Sequence, residues 1–131
     1  MPHQFAIRVY YEDTDLAGIV YYANYLKFIE RARTEFVRGL GVDQVAQKAE
    51  QGIVFAVRRI EADYLQPARF DDELLVKTIP EAVTGARIVL RQNVWRQEVL
   101  LFRSVVTLVA LTGAGRPARI PAKLRRLLPL G

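Results

Sequence analysis

Tyr11-Glu12-Asp13-Thr14-Asp15-Leu16-Ala17-Gly18-Ile19-Val20-Tyr21-Tyr22-Ala23-Asn24-Tyr25 joins the end of a strand to the start of a helix through a turn that carries two aspartates. Upstream, Phe5, Ile7 and Val9 alternate with Ala6, Arg8 and Tyr10, the period of two expected of a half-buried strand. Downstream, Tyr25, Phe28, Ile29, Ala32, Phe36 and Leu40 recur at intervals of three and four, one face of a helix that Gly39 and Gly41 bring to a stop. A helix with so wide an apolar stripe must bury it against another element. The turn therefore sets an anionic side chain beside a helix N-terminus that is fixed on a core.

Beyond a polar, helical connection over residues 43–51, the chain becomes strand-like at 53–65, 73–79, 86–95 and 99–111, with breaks expected at Pro67, Pro80, Gly85 and Gln97-Glu98. The segment 99–111 is apolar on both faces, Val99, Leu101, Val105 and Val109 against Leu100, Phe102, Val106 and Leu108, which predicts a central strand. One long helix and about five long strands imply an α+β domain in which an antiparallel sheet packs on the helix. At 131 residues the chain reads as a single domain, 1–131, large enough to bury roughly two-thirds of its unfolded surface without staples. A lone sheet also leaves edges, and pairing them with a second subunit is the natural remedy.

Composition narrows the chemistry. There is no Cys, one His, His3, and one Ser, Ser104, within an apolar strand, so Ser-His-Asp and Cys-His constellations cannot be assembled in one subunit. Nitrogen and sulfur ligands are too few for zinc, and no glycine-rich phosphate loop or dinucleotide fingerprint is present. Asp13, Asp15 and Gly18 occupy positions one, three and six of a calcium loop, but Ala17 and Asn24 stand where further ligands are needed, so no metal is expected. Hydrolytic chemistry, if any, must use a carboxylate. The absence of Cys and of a basic, then apolar, leader suits a cytoplasmic protein with no membrane span. The net charge of +5 comes from residues 113–131, where Arg116, Arg119, Lys123, Arg125 and Arg126 meet no acid; this run is either a phosphate-binding surface or a solvated tail. Taken by residue type alone, Asp13 and Asp15 end a strand and cap a helix.

The stretch from Asp13 to Asn24-Tyr25, continued by Glu30-Arg31-Ala32-Arg33, resembles the 4-hydroxybenzoyl-CoA thioesterase-like family of hotdog-fold proteins, in particular its Tol-Pal-associated acyl-CoA thioesterase branch. Ala62-Asp63-Tyr64-Leu65-Gln66-Pro67-Ala68-Arg69-Phe70-Asp71-Asp72 looks like the second recurrent block of that family, and the likeness runs from about residue 9 to about residue 121. The resemblance implies a hotdog fold, one long helix wrapped by a curved sheet, in a homo-oligomer that is a dimer or tetramer. It implies hydrolysis of an acyl-CoA thioester to a free acid and CoA without a cofactor.

In that family the second Asp of the pair is the catalytic carboxylate, nucleophile or base, and Asp15 matches it. The backbone N–H that stabilises the oxyanion corresponds to Tyr22. Tyr at this position is the 4-hydroxybenzoyl-CoA thioesterase form, whereas the Tol-Pal-associated branch commonly carries His there. Asn24 and Tyr25 also match the motif, either as structural residues or as substrate contacts. Arg58 and Arg59, with the tail cations, are candidates for the CoA phosphates, since guanidinium groups pair two-pronged with phosphate. Arg31 and Arg33 read as solvated partners of Glu30 and Glu35.

A competing function of a different class is a non-catalytic protein that holds acyl-CoA or an acyl-carrier protein in the hotdog groove, with Asp15 as a cap. A nucleic-acid-binding domain rests on charge alone and lacks a basic recognition helix or an aromatic platform, so no nucleic-acid partner is expected. A hotdog dehydratase would need a His beside its acid, and His3 is poorly placed for it.

Overall fold

The computed structural model of the protein describes residues 2–128. Strands β1 (His3–Arg8), β2 (Val54–Tyr64), β3 (Glu73–Val83), β4 (Ile88–Arg96), β5 (Val99–Leu111) and the short β6 (Pro117–Ala118) form one antiparallel sheet. Helix α1 (Asn24–Gly39) precedes α2 (Gln44–Gln51), and α3 (Ala122–Leu127) closes the described chain. The strand order β1-β3-β4-β5-β2 places β1 and β2, which flank the helices in sequence, at opposite edges. Helix α1 packs on β1, β3 and β4, and α2 carries the chain to β2. One long helix held in a curved antiparallel sheet is the hotdog arrangement.

The core follows the two periodicities. Tyr25, Phe28, Ile29, Ala32, Phe36 and Val37 are the buried residues of α1. They meet Leu74 and Val76 of β3, Leu90 and Val94 of β4, and Phe102 and Val106 of β5. Asp43 starts α2 by accepting hydrogen bonds from the Val45 and Ala46 amides at 3.0 and 3.1 Å. Strand β5 lies between β4 and β2, as its two apolar faces require. Gln97 turns the β4–β5 corner with φ 54°. Among the described residues no helix is long and apolar enough to cross a membrane.

Three expectations need correction. Pro80 does not end β3: it stays in the ladder opposite Leu90, and the register shifts between Pro80 and Ala82. The β1 ladder stops at Thr78, so β3 has a free side beyond it where a missing N–H breaks no pairing. The basic tail is not simply solvated. Its described part returns along β5, and Ile120, Leu124 and Leu128 are buried while Lys123, Arg125 and Arg126 remain exposed.

Arg33 is likewise no solvated partner of a helix acid. Its guanidinium donates to Gln92 Oε1 at 2.8 Å from the underside of α1. Burial lowers its pKa from the ordinary arginine value, opposed by Glu30. Glu30 accepts from Thr34 and Glu35 pairs with Arg38, so neither acid is bound to Arg31 or Arg33.

Candidate active site

The aspartate turn is built by its own backbone. Thr14 and Val20 form an antiparallel bridge, the Asp15 N–H donates to the Ile19 carbonyl at 2.9 Å, and the Gly18 N–H returns to the Asp15 carbonyl at 2.9 Å. Gly18 closes this loop at φ 79°, a left-handed conformation that side-chain-bearing residues avoid. The two acids then divide. Asp13 is committed to structure, because its Oδ2 accepts from the Tyr10 N–H at 2.8 Å. Asp15 is exposed; its Oδ1 accepts from the Ala17 N–H at 2.9 Å, and its second carboxylate oxygen has no partner among the described residues.

The start of α1 is tied to the same turn. The Asp13 carbonyl accepts from the Tyr21 N–H and from Asn24 Nδ2, each at 2.9 Å, and the Asn24 N–H donates to the Tyr21 carbonyl at 2.8 Å. Asn24 is thus a brace for the turn, not a helix cap, and its amide is engaged within the protein. Tyr22 sits just before the first turn of α1, and its N–H has no acceptor among the described residues. The Tyr22 carbonyl is held instead, accepting from the Tyr64 hydroxyl at 3.0 Å. The Tyr22 ring packs on Tyr21 at 4.8 Å between centroids and stays largely exposed.

The opposite wall comes from the end of β2 and the loop after it. Leu65 and Gln66 both donate to the Leu101 carbonyl, at 2.8 and 3.1 Å. Tyr25 is buried, stacks on Phe102 with centroids 5.0 Å apart, and accepts from the Ala68 N–H at 3.1 Å. The Ala68 carbonyl receives the Val20 N–H at 2.8 Å, which closes wall to turn. Asp72 pins the loop by accepting from Arg96 and from the Arg69 N–H, each at 2.8 Å.

Between turn, helix start and loop lies a groove of about 380 Å³ lined by Asp15, Ile19, Val20, Tyr22 and Tyr25 of the turn and helix start and by Tyr64 and residues 65–67 of the facing wall. Asp15 is the one carboxylate among these lining residues. Burial raises the pKa of the Tyr25 phenol, partly offset by the Ala68 N–H, and burial with the neighbouring Tyr22 raises that of Tyr64. Both phenols are therefore neutral near pH 7. A larger hollow of about 620 Å³ between α1 and α2 offers one carboxylate, Asp43, which is already used as the α2 cap.

Of the residues expected at the site, the structure brings Asp15, Tyr22 and Tyr25 to the groove, with Asn24 bracing it from behind. Arg58 and Arg59 are elsewhere. They are exposed midway along β2, Arg58 at the irregularity between Val57 and Arg59, and Arg59 pairs with Glu61 at 2.9 Å. The place of Tyr64 and of residues 65–67 in the groove is not legible residue by residue. The signal for them is their place in the second motif block, since nothing in local periodicity points from residue 64 to residue 22.

Asp15 and Tyr22 line one groove, and among the described residues one Asp15 carboxylate oxygen and the Tyr22 N–H have no partner. The sequence pattern of the thioesterase superfamily matches residues 17–102, and the chain belongs to that superfamily of thioester hydrolases. It is 39% identical over 122 residues to the acyl-CoA thioesterase YbgC of Haemophilus influenzae, covering 92% of this chain and 90% of that one. A crystal structure of a probable thioesterase from Bartonella henselae superposes with a TM-score of 0.89 at 35% identity, covering 92% of this chain and all of the other. A mutant 4-hydroxybenzoyl-CoA thioesterase complexed with 4-hydroxybenzoyl-CoA shares the fold with a TM-score of 0.92 at 24% identity, over 98% of this chain and 99% of that one.

Proposed function

We propose that this thioester hydrolase cleaves acyl-CoA to a free acid and CoA, with Asp15 as the reacting carboxylate and the Tyr22 N–H as the oxyanion donor. The observation that carries this is that Tyr22 and Asp15 line one groove while the Tyr22 N–H and one Asp15 oxygen have no partner among the described residues. Asp15 attacks the thioester carbon or takes a proton from the water that does. In either route negative charge gathers on the carbonyl oxygen, and a fixed donor lowers that barrier by about 3–4 kcal/mol. Collapse of the adduct breaks the carbon–sulfur bond, and the sulfur leaves as the CoA thiolate; after direct attack Asp15 is held as a mixed anhydride that water cleaves to the free acid, whereas in the water route the free acid forms at once and the proton on Asp15 passes to the thiolate. No cofactor enters. Acyl-CoA as the substrate class is supported by the names of the relatives.

The chain acts as a single domain within a homo-oligomer, a dimer or tetramer. Strand β2 supports this: among the described residues it is paired on one side only, and Val57 and Tyr64 stand 44% and 49% exposed along it. A second copy placed there would also bring cations within reach of a nucleotide that extends past the groove, the role left to Arg58 and Arg59. Acyl-CoA is an intracellular metabolite, which supports action in the cytoplasm.

Replacing Asp15 by Ala tests the proposal. Turnover of a benzoyl-, butyryl- and palmitoyl-CoA panel, followed by thiol release, should fall roughly 100- to 10,000-fold while the thermal midpoint stays unchanged. Full turnover in a folded Asp15→Ala protein would remove Asp15 from the chemistry. Tight acyl-CoA binding without thiol release by the unaltered protein would instead favour a carrier.

A further inference from the structure

We propose that Tyr64 is a positioning residue for the oxyanion donor, its hydroxyl clamping Tyr22 from the far wall of the groove. This rests on the assignment of the Tyr22 N–H as that donor.

Two peptide planes meet at the Tyr22 Cα, and each is held by one hydrogen bond. The plane before it, which contains the Tyr22 N–H, is fixed where the Asn24 N–H donates to the Tyr21 carbonyl at 2.8 Å. In a planar trans peptide the C=O and N–H point in opposite directions, so this bond turns the Tyr22 N–H away from the helix. The plane after it is fixed where the Tyr64 hydroxyl donates to the Tyr22 carbonyl at 3.0 Å. Lacking the second bond, rotation about the Tyr22 backbone is limited from one side only, and the donor can swing.

The clamp is itself rigid. The Tyr64 ring packs edge-on against Phe102 at 5.0 Å, Tyr25 at 5.5 Å and Tyr22 at 6.2 Å between centroids. Three aromatic neighbours fix the direction in which the hydroxyl points, and the phenol remains protonated as a donor. Tyr64 also terminates β2, so one bond sets both the orientation of the donor and the width of the groove. Packing alone would be served equally well by Phe.

Tyr64→Phe keeps the ring and removes the clamp. With the acyl-CoA of the panel that turns over fastest, kcat and kcat/KM should fall together by about tenfold while KM stays constant. That is less than the roughly 100-fold or more expected when an oxyanion donor is itself removed. Tyr64→p-aminophenylalanine, which restores a donor at the ring edge, should recover most of the loss.

The second readout is the infrared carbonyl band of the same acyl-CoA, carrying 13C at the thioester carbon and bound to the slow Asp15→Asn protein. Binding should shift the band to lower frequency, and adding Tyr64→Phe should return it towards its free position. An unchanged kcat, or a lowered thermal midpoint with an unmoved band, would overturn the role of Tyr64. No shift on binding to Asp15→Asn alone would overturn the donor assignment itself, whatever Tyr64 does.

Discussion

The start and the middle of α1 treat polar groups in opposite ways. At the middle every side-chain polar group of Gln92 is used: Nε2 donates to the Ile29 carbonyl at 2.9 Å and to Thr78 Oγ1 at 3.0 Å, and Oε1 accepts from Arg33 at 2.8 Å. Gln92 and Thr78 are fully buried there, and Ser104 holds the Gln92 carbonyl at 2.5 Å. At the start, about two turns earlier, the Tyr22 N–H and one Asp15 oxygen have no partner among the described residues, and Leu16, Tyr21 and Tyr22 stand exposed around them. A buried polar group without a partner costs about 1–3 kcal/mol, so the middle of the helix must be saturated. The groove can leave its groups open because solvent reaches them, and a ligand can then claim them. The same helix is thus a saturated strut at its middle and borders an open groove at its start.

If that division holds, stability and activity should separate by mutation. Loss of Asp15, described above, is the largest effect and should fall on activity alone. Next comes Gln92→Ala, which strips partners from Arg33, Thr78 and the Ile29 carbonyl together and opens a cavity. It should lower the unfolding free energy by about 3 kcal/mol in urea titrations. The kcat of the protein that remains folded at low temperature should change less than about twofold. A Gln92→Ala protein of normal stability and poor turnover would erase the contrast between the two regions.

Asn24→Ala sharpens it, because Asn24 belongs to both regions: it opens α1 and braces the aspartate turn through the Asp13 carbonyl. Only one hydrogen bond is lost, about 1 kcal/mol of stability. The turn that carries Asp15 loosens with it, so kcat should fall several-fold more than that small destabilisation would suggest, as small misplacements of reacting groups do. Stability by urea unfolding and kcat on the fastest acyl-CoA would be compared on one preparation. Equal, minor losses in both would reduce Asn24 to an ordinary surface contact.

How far these features can be read from the residues depends on the range of the interactions. The strut is plain in the spacing of Tyr25, Phe28, Ile29, Ala32 and Phe36, because a helix buries what recurs on one face. The aspartate turn is also local: Asp15, Gly18 and Ile19 bond to one another within four residues. The far wall is not local. Tyr64 reaches Tyr22 across 42 positions of sequence, and only the resemblance of residues 62–72 to a known motif connects the two. Arg33 shows the same limit, since its partner lies 59 positions away and a charged residue among helix acids reads as solvated. The tail hid in a different way. Ile120, Leu124 and Leu128 are buried at a spacing of four, but only Leu124 lies in α3 and the cations between them mask the pattern.

The smallest effect concerns the buried wall of the groove, where Tyr25 serves both regions through one hydroxyl. Burial raises the pKa of this phenol above its ordinary value, against a weaker opposing effect of the Ala68 N–H. The folded protein therefore keeps the Tyr25 proton at pH values where the unfolded chain has lost it. Its contribution to stability is complete below the unfolded value of about 10 and is lost as pH rises through the folded value. The thermal midpoint of the unaltered protein should accordingly fall more steeply above pH 10 than that of Tyr25→Phe, by a fraction of the ~1.4 kcal/mol per pH unit that a whole proton would give. Below pH 9 Tyr25→Phe differs from the unaltered protein only through the Ala68 N–H left without its acceptor, a constant loss of about 1 kcal/mol that pH does not change. Melting followed by circular dichroism from pH 8 to 11.5, with tyrosinate absorbance read alongside, separates slope from offset. Parallel curves would mean that the Tyr25 hydroxyl is open to solvent, and the wall it anchors would then belong to the exposed end of the helix.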